Sequence, residues 1–330
     1  MGLSAPAERR LGGLDTLRAL AIAFVFAHHY QLFVSQEATF GAFGTVGWVG
    51  VDLFFVLSGY LIADSLLAQA VAGQPPALGH FYARRWLRTL PAFWVVLAAY
   101  QAWPEALGGR PPPPAWRFLS FTQNFQLQPG TAFSHAWSLC VEEQFYLLLP
   151  LVLLGGLRLG WGRRAGWTAI ALLTALGIGA RAWLWTRHGR ESTDIAGYHP
   201  SIYYASLCRF DELLPGVALA LLRRTQPQAW AWLMARGAQV FWLGLAAVLG
   251  MLWAVHEHYY VDGYGYTFAM TAFGYSAVAW SFALLVLAAL SPASPLARWR
   301  VPGAQTLALW SYALYLTHKA VDHVVAHALP

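Results

Sequence analysis

The chain has 330 residues, 58% of them hydrophobic and only 11% charged, and its mean hydropathy is +0.46. A soluble domain carries about 25% charged residues, so apolar runs repeated along the whole length exclude an ordinary globular core and indicate a polytopic membrane protein. The formal net charge of +6 is no sign of nucleic-acid binding, because the arginines stand beside apolar runs, where they set topology.

The opening segment MGLSAPAERRLGG has no small-residue cleavage site after an apolar core, and the run that follows holds Arg18 and two histidines. It reads as a retained helix rather than a signal peptide. Nine spans are predicted in chain order: Leu14–Phe33, Val46–Leu67, Leu90–Trp103, Trp137–Leu154, Gly166–Trp185, Ile202–Leu222, Val240–Val255, Tyr266–Leu290 and Thr306–Val325. The third is short and is expected to begin earlier, within FYARRWLRTL. The expected fold is thus all-α, a single bundle of nine to ten transmembrane helices over residues 1–330. Cys140 and Cys208 fall within spans and read as buried thiols. In the connection Gln101 to Ala136, the prolines 111–114 favour a stiff extended segment, and the aromatic residues after them either lie on the membrane as an interfacial loop, the preferred reading, or fold back toward a cavity. HEH at His256–His258 also reads as a loop.

Loop charge gives the orientation. With the N-terminus inside, the inner segments hold Arg9, Arg10, Arg84, Arg85, Arg88, Arg158, Arg163, Arg164, Arg223, Arg224, Arg236, Arg298 and Arg300. The outer loops hold Arg110, Arg117, Arg187 and Arg190. Thirteen against four predicts a cytoplasmic N-terminus by the positive-inside rule.

Ionisable residues inside spans are costly and mark function by default. Arg18 and His29 share the first span, eleven residues apart, which puts them on one helical face about 16 Å apart along the axis. With this orientation Arg18, Arg84, Arg85 and Arg88 lie toward the cytoplasm, whereas His29, Asp52, Glu142, Glu143, Arg209, Asp211, Glu212 and His318 lie in the outer half. Arginines 84, 85 and 88 taken alone read as topology-setting charges, and Glu142 with Arg209 reads equally well as a buried ion pair holding helices together. His28 has little claim to a chemical role. The HxxxD spacing of His318 and Asp322 recurs by chance on any helix. His323 and His327 are one turn apart, but two ligands do not make a metal site, and no metal is expected.

Five blocks in this order resemble the acyltransferase 3 family of integral membrane acyltransferases. In LDTLRALAIAFVFAHH, Arg18 and His29 match the family's Arg-x10-His pattern. GVDLFFVLSGYLI follows from Gly50, then FYARRWLRTLP, whose Arg85 and Arg88 match RxxR. HAWSLCVEEQFYLLLP from His135 is similar to WSLxVEEQFY, and WSYALYLTH from Trp310 to SYxLYLxH. RFDELLPGVALA from Arg209 is a weaker match. The family commonly carries ten spans, which leaves one helix unaccounted for, and the chain reads as a stand-alone form without an extracytoplasmic SGNH-type domain.

The resemblance implies transfer of an acyl group, acetyl by commonest usage, from cytoplasmic acyl-CoA to a hydroxyl of an envelope glycan or glycolipid, in a bacterial inner membrane. A separate extracytoplasmic acyl-accepting partner is a further implied arrangement. Arg18, Arg85 and Arg88 would hold the CoA phosphates, since guanidinium groups bind phosphate with paired donors. His29 would act as general base or transient acyl carrier, with Glu142 orienting it. Asp52, Arg209 and His318 would bind the acceptor or set cavity polarity. The alternative reading is a proton-coupled secondary transporter, in which the same intramembrane charges build an ion path.

Overall fold

The computed structural model describes residues 12–74, 77–189, 195–299 and 301–328. Arg9, Arg10, Arg190 and Arg300, which entered the loop-charge argument, lie outside the described residues. The long helices are α1 (Gly12–Tyr30), α2 (Gly50–Val71), α3 (Leu78–Ala102), α4 (Trp137–Arg158), α5 (Arg163–His188), α6 (Leu214–Thr225), α7 (Gly237–His258), α8 (Tyr275–Leu290) and α9 (Ala304–Ala328). The described strands form one two-residue hairpin, Tyr260–Val261 with Gly265–Tyr266. Leucines 147, 148 and 151 of α4 point outward and are about half exposed, an apolar surface suited to lipid.

Six described helices are long and apolar enough to cross a membrane: Gly12–Ser35, Gly47–Val71, Ser134–Arg158, Arg163–His188, Gly237–His258 and Met270–Leu290. Helices α3 and α9 are each 25 residues long, but their polar residues lower their hydropathy. The third element does begin early, at Leu78, and carries Pro91 in its interior. Cys140 and Cys208 are free and buried.

Three expectations are corrected. The stretch predicted as one span from Ile202 to Leu222 is broken into a π-turn (His199–Tyr203), short helical turns (Ser206–Leu213) and α6. Pro200 stands in the π-turn, Ala205 adopts extended backbone, and Pro215 sits in the first turn of α6. Proline restarts a helix more readily than it continues one. HEH is not a loop but the last turn of α7, where imidazoles lie near the helix carbonyl end. The connection before α4 does not simply lie on the surface. Phe118, Gln123, Asn124 and Phe133 are buried, while Trp116 stays exposed.

That connection is tied inward by amides. Asn124 Nδ2 donates to the Tyr204 carbonyl at 2.9 Å and to Ser206 Oγ at 2.8 Å, and Gln144 Nε2 donates to the Phe121 carbonyl at 2.7 Å. At the centre, α2 packs tightly on α6 and α1 on α9. A side chain at Gly59 would strike the Leu213 backbone, and one at Gly216 would strike α2 at Val56 and Tyr60. Glycine here permits the close backbone approach used in membrane bundles.

Candidate active site

His29, near the C-terminal end of α1, meets His318 from α9. His318 Nε2 lies 2.7 Å from His29 Nδ1. The other nitrogen of His318, Nδ1, lies 2.9 Å from the Tyr315 carbonyl and 3.2 Å from the Leu314 carbonyl of its own helix. Carbonyl oxygens only accept, so Nδ1 of neutral His318 carries the hydrogen and its Nε2 must accept. His29 Nδ1 therefore donates, and the lone pair of His29 is left on Nε2. This assignment follows from the hydrogen-bond network and sets the imidazole in the tautomer a base requires.

His29 lines a cavity of about 300 Å³. Its wall draws on α1, on the turn after it (Leu32, Phe33), on Trp48 and Val51, and on Ser134, His135 and Trp137 at the start of α4. The broken segment adds His199, Tyr203 and Tyr204, and α9 adds Tyr315 and Lys319. The elements are fastened to one another around it. Tyr315 Oη donates to the His135 carbonyl at 2.7 Å and lies 2.6 Å from Ser138 Oγ. His135 Nε2 lies 3.2 Å from the Leu316 carbonyl, so it donates there. His28 Nδ1 lies 2.9 Å from the Gly44 carbonyl.

Glu142 is not the partner found beside His29. Its Oε1 accepts from Ser58 at 3.0 Å and its Oε2 from Tyr146 at 3.0 Å. Arg85 Nη2 lies 4.0 Å from Glu142, its Nε 3.6 Å from Glu143, and its guanidinium 3.3 Å from the Tyr146 ring centroid. Arg85 and Glu142 are thus neighbours, although loop charge placed them at opposite depths. Within an apolar bundle each charge is stable only beside the other, and the long arginine side chain bridges the distance. Arg18 pairs with Asp15 at 3.3 Å, and Arg88 is exposed on α3.

Asp52 and Arg209 lie behind the cavity wall and are fully buried. Arg209 Nη2 donates to Asp52 Oδ1 at 3.1 Å, and its Nε and Nη2 donate to the two oxygens of Glu212 at 2.5 and 3.0 Å. Its guanidinium stacks between rings, 4.9 Å from Trp137 and Tyr203 and 4.2 Å from Tyr275. The ion pair expected between Glu142 and Arg209 is therefore two separate clusters. A third buried cluster joins Arg181 to Asp211 through bonds of 2.6 and 3.0 Å, with Ser276 donating to Asp211 at 2.6 Å.

Sequence reasoning missed Arg181, His135, His199, Tyr203 and Lys319. Arg181 stands in an apolar run and His135 opens the WSLxVEEQFY-like block, so both carry a signal. Lys319 is overshadowed by His318. Among the described residues no group of three or more metal-ligating side chains is present.

The pairing of His318 with His29 has a direct test, read on the acyl transfer that the resemblance implies. His318→Gln places an amide that accepts from His29 Nδ1 but no longer locks the tautomer, and His318→Leu removes the acceptor altogether. The leucine variant is expected to lower kcat about 100-fold, the penalty typical of a misplaced reacting group, with the KM values nearly unchanged. Partial rescue by glutamine separates positioning from simple packing.

The chain matches the acyltransferase domain of the acyltransferase 3 family over residues 11–330. It is 33% identical over 227 residues to the peptidoglycan O-acetyltransferase OatA of Listeria monocytogenes, covering 63% of this chain and 33% of that protein. It is 32% identical over 162 residues to the O-acetyltransferase OatA of Staphylococcus aureus, covering 44% of this chain and 25% of that protein. The chain thus spans a third or less of the length of these relatives. No solved structure matches it. With its Arg-x10-His helix, its paired histidines and a match over nearly its whole length, the chain belongs to the acyltransferase 3 family.

Proposed function

We propose that this chain is a membrane O-acyltransferase that moves an acetyl group from acetyl-CoA to a hydroxyl of a cell-wall glycan. The observation that carries the reading is the His29–His318 pair in the cavity wall, with the lone pair left on His29 Nε2. In this reading the domain has nine spans and a cytoplasmic N-terminus in a bacterial inner membrane, so that Arg18 faces the donor side and His29 the acceptor side.

His29 Nε2 takes the proton of the acceptor hydroxyl as its oxygen bonds to the thioester carbonyl carbon. The bond from Nδ1 to His318 stabilises the positive charge that grows on the His29 ring, the task expected of Glu142 from the sequence. Collapse of the tetrahedral intermediate breaks the carbon–sulfur bond, and the departing CoA thiolate recovers the proton from His29. A transient acyl-histidine on Nε2 uses the same lone pair. A burst of CoA before any acceptor is added would mark that route.

For the donor, Arg18 and Arg88 are the proposed phosphate-binding groups. Arg85 is shared among Glu142, Glu143 and Tyr146 and acts first to keep those carboxylates paired. Arg88→Ala is expected to weaken acetyl-CoA binding about tenfold, the scale of one lost charge-assisted hydrogen bond, as read by calorimetry on the purified protein.

The test of the whole reading is release of CoA thiol by protein in lipid nanodiscs, supplied with acetyl-CoA and a cell-wall glycan, with mass spectrometry of the glycan. Acceptor-dependent thiol release with a gain of acetyl on the glycan is expected. Neither event with a folded protein would overturn it. The transporter alternative is not favoured by the family to which the chain belongs.

A further inference from the structure

Lys319 stands in the wall of the same cavity, and the acyl-transfer steps leave it without a task. It follows His318 on α9. Its Nζ donates to Ser134 Oγ at 3.3 Å and lies 4.3 Å from the Phe33 ring centroid. Asp322, one turn further on, is buried yet forms no ion pair with it, and among the described ion pairs none includes Lys319. No Asp, Glu or Arg joins Lys319 in the described lining. Asp322 attracts the ammonium only from beyond ion-pair distance, and a cation inside a membrane bundle that keeps donors turned to a cavity is costly and marks function by default.

Two further features say what the cation faces. Trp48, Trp137, Tyr203 and Tyr204 supply aromatic surface around the same space, suited to the C–H face of a sugar ring while polar groups fix its orientation. Ser134 accepts the Lys319 bond, and no described acceptor engages its own hydroxyl hydrogen. Lys319 and Ser134 together present two donors side by side, the complement of the two oxygens of a carboxylate.

We propose that Lys319, assisted by Ser134, anchors a carboxylate on the acceptor, so that the cavity selects an acidic sugar over its neutral counterpart. The proposal rests on reading the cavity as the acceptor site. The anchor holds the sugar through a group remote from the reacting hydroxyl and leaves the proton chemistry to His29.

The experiment is calorimetric titration of the full chain in lipid nanodiscs, without acyl donor, using N-acetylmuramic acid and its methyl ester, which differ by one charge. Wild type is expected to bind the acid about tenfold more tightly than the ester, the scale of one hydrogen-bonded charge contact. Lys319→Met should bring the two to parity by weakening the acid alone, and Lys319→Arg should keep most of the preference, which guards against a methionine variant that misfolds. Equal binding of acid and ester by wild type would overturn the proposal, as would a preference that survives in Lys319→Met. Failure of both probes to bind would remove the sugar-acid assignment. An equal fall in kcat for acidic and neutral acceptors in Lys319→Met would also overturn it, by placing the ammonium at the thioester oxygen. Because no donor is present, the titration reads the anchor alone and the thiol-release assay reads transfer, so failure of the anchor and failure of the transfer reading give different results.

Discussion

His29→Ala is expected to abolish acetyl transfer, with thiol release from acetyl-CoA lowered by about 10²- to 10⁴-fold, the range of a positioned general base. The protein should still insert and fold. His29 lines a cavity and is only partly buried, its polar partner is one other imidazole, and alanine is tolerated in a helix. His318 Nε2 then faces vacant space that water can fill, so the loss is chemical rather than architectural. His29→Gln should be as inactive as alanine, because an amide carries no lone pair basic enough to take the hydroxyl proton. Purified variants with wild-type elution and melting profiles but no acceptor-dependent thiol release would meet the expectation. Normal transfer by a folded His29→Ala protein would remove His29 from the reaction altogether.

His29 is legible in the sequence because an imidazole inside an apolar run has few reasons to be there. Its partner is not. His318 lies 289 positions away, and nothing local distinguishes a histidine that will face another from one that will face solvent. Glu142 is the more natural choice, since carboxylates commonly orient imidazoles, but Ser58, Tyr146 and Arg85 take its oxygens. The apolar helices are readable from composition. The broken segment is less so, because the hydropathy of Ile202 to Leu222 averages over Pro215 and the run Arg209-Phe210-Asp211-Glu212, with Pro200 just ahead of it. Those residues are visible in the sequence as a cost, and the pairing that offsets the cost is a property of three dimensions. Depth assignment fails for Arg85 for a related reason. The positive-inside rule describes loops, whereas the guanidinium is drawn into the bundle by two carboxylates.

Arg209→Met is the substitution expected to damage the fold most. The guanidinium donates to Asp52 and to both oxygens of Glu212 in a fully buried cluster. Removing it leaves two carboxylates facing each other with no counter-charge, a loss of about 3–5 kcal/mol for a broken buried pair. The damage should spread to the broken segment, because Arg209 also donates to the Tyr203 carbonyl at 3.1 Å and stacks against Tyr275 and Trp137. Arg209→Lys keeps a charge but not the planar fork that reaches both acids, and should fall between methionine and wild type. The triple variant Arg209→Met, Asp52→Asn, Glu212→Gln removes the charges together and should recover much of the lost stability, since it is the unpaired acid and not the missing arginine that is costly. Melting in detergent, followed by size-exclusion chromatography, reads all three. A folded Arg209→Met protein with wild-type melting but weakened acceptor binding would instead make Arg209 a residue of the acceptor site.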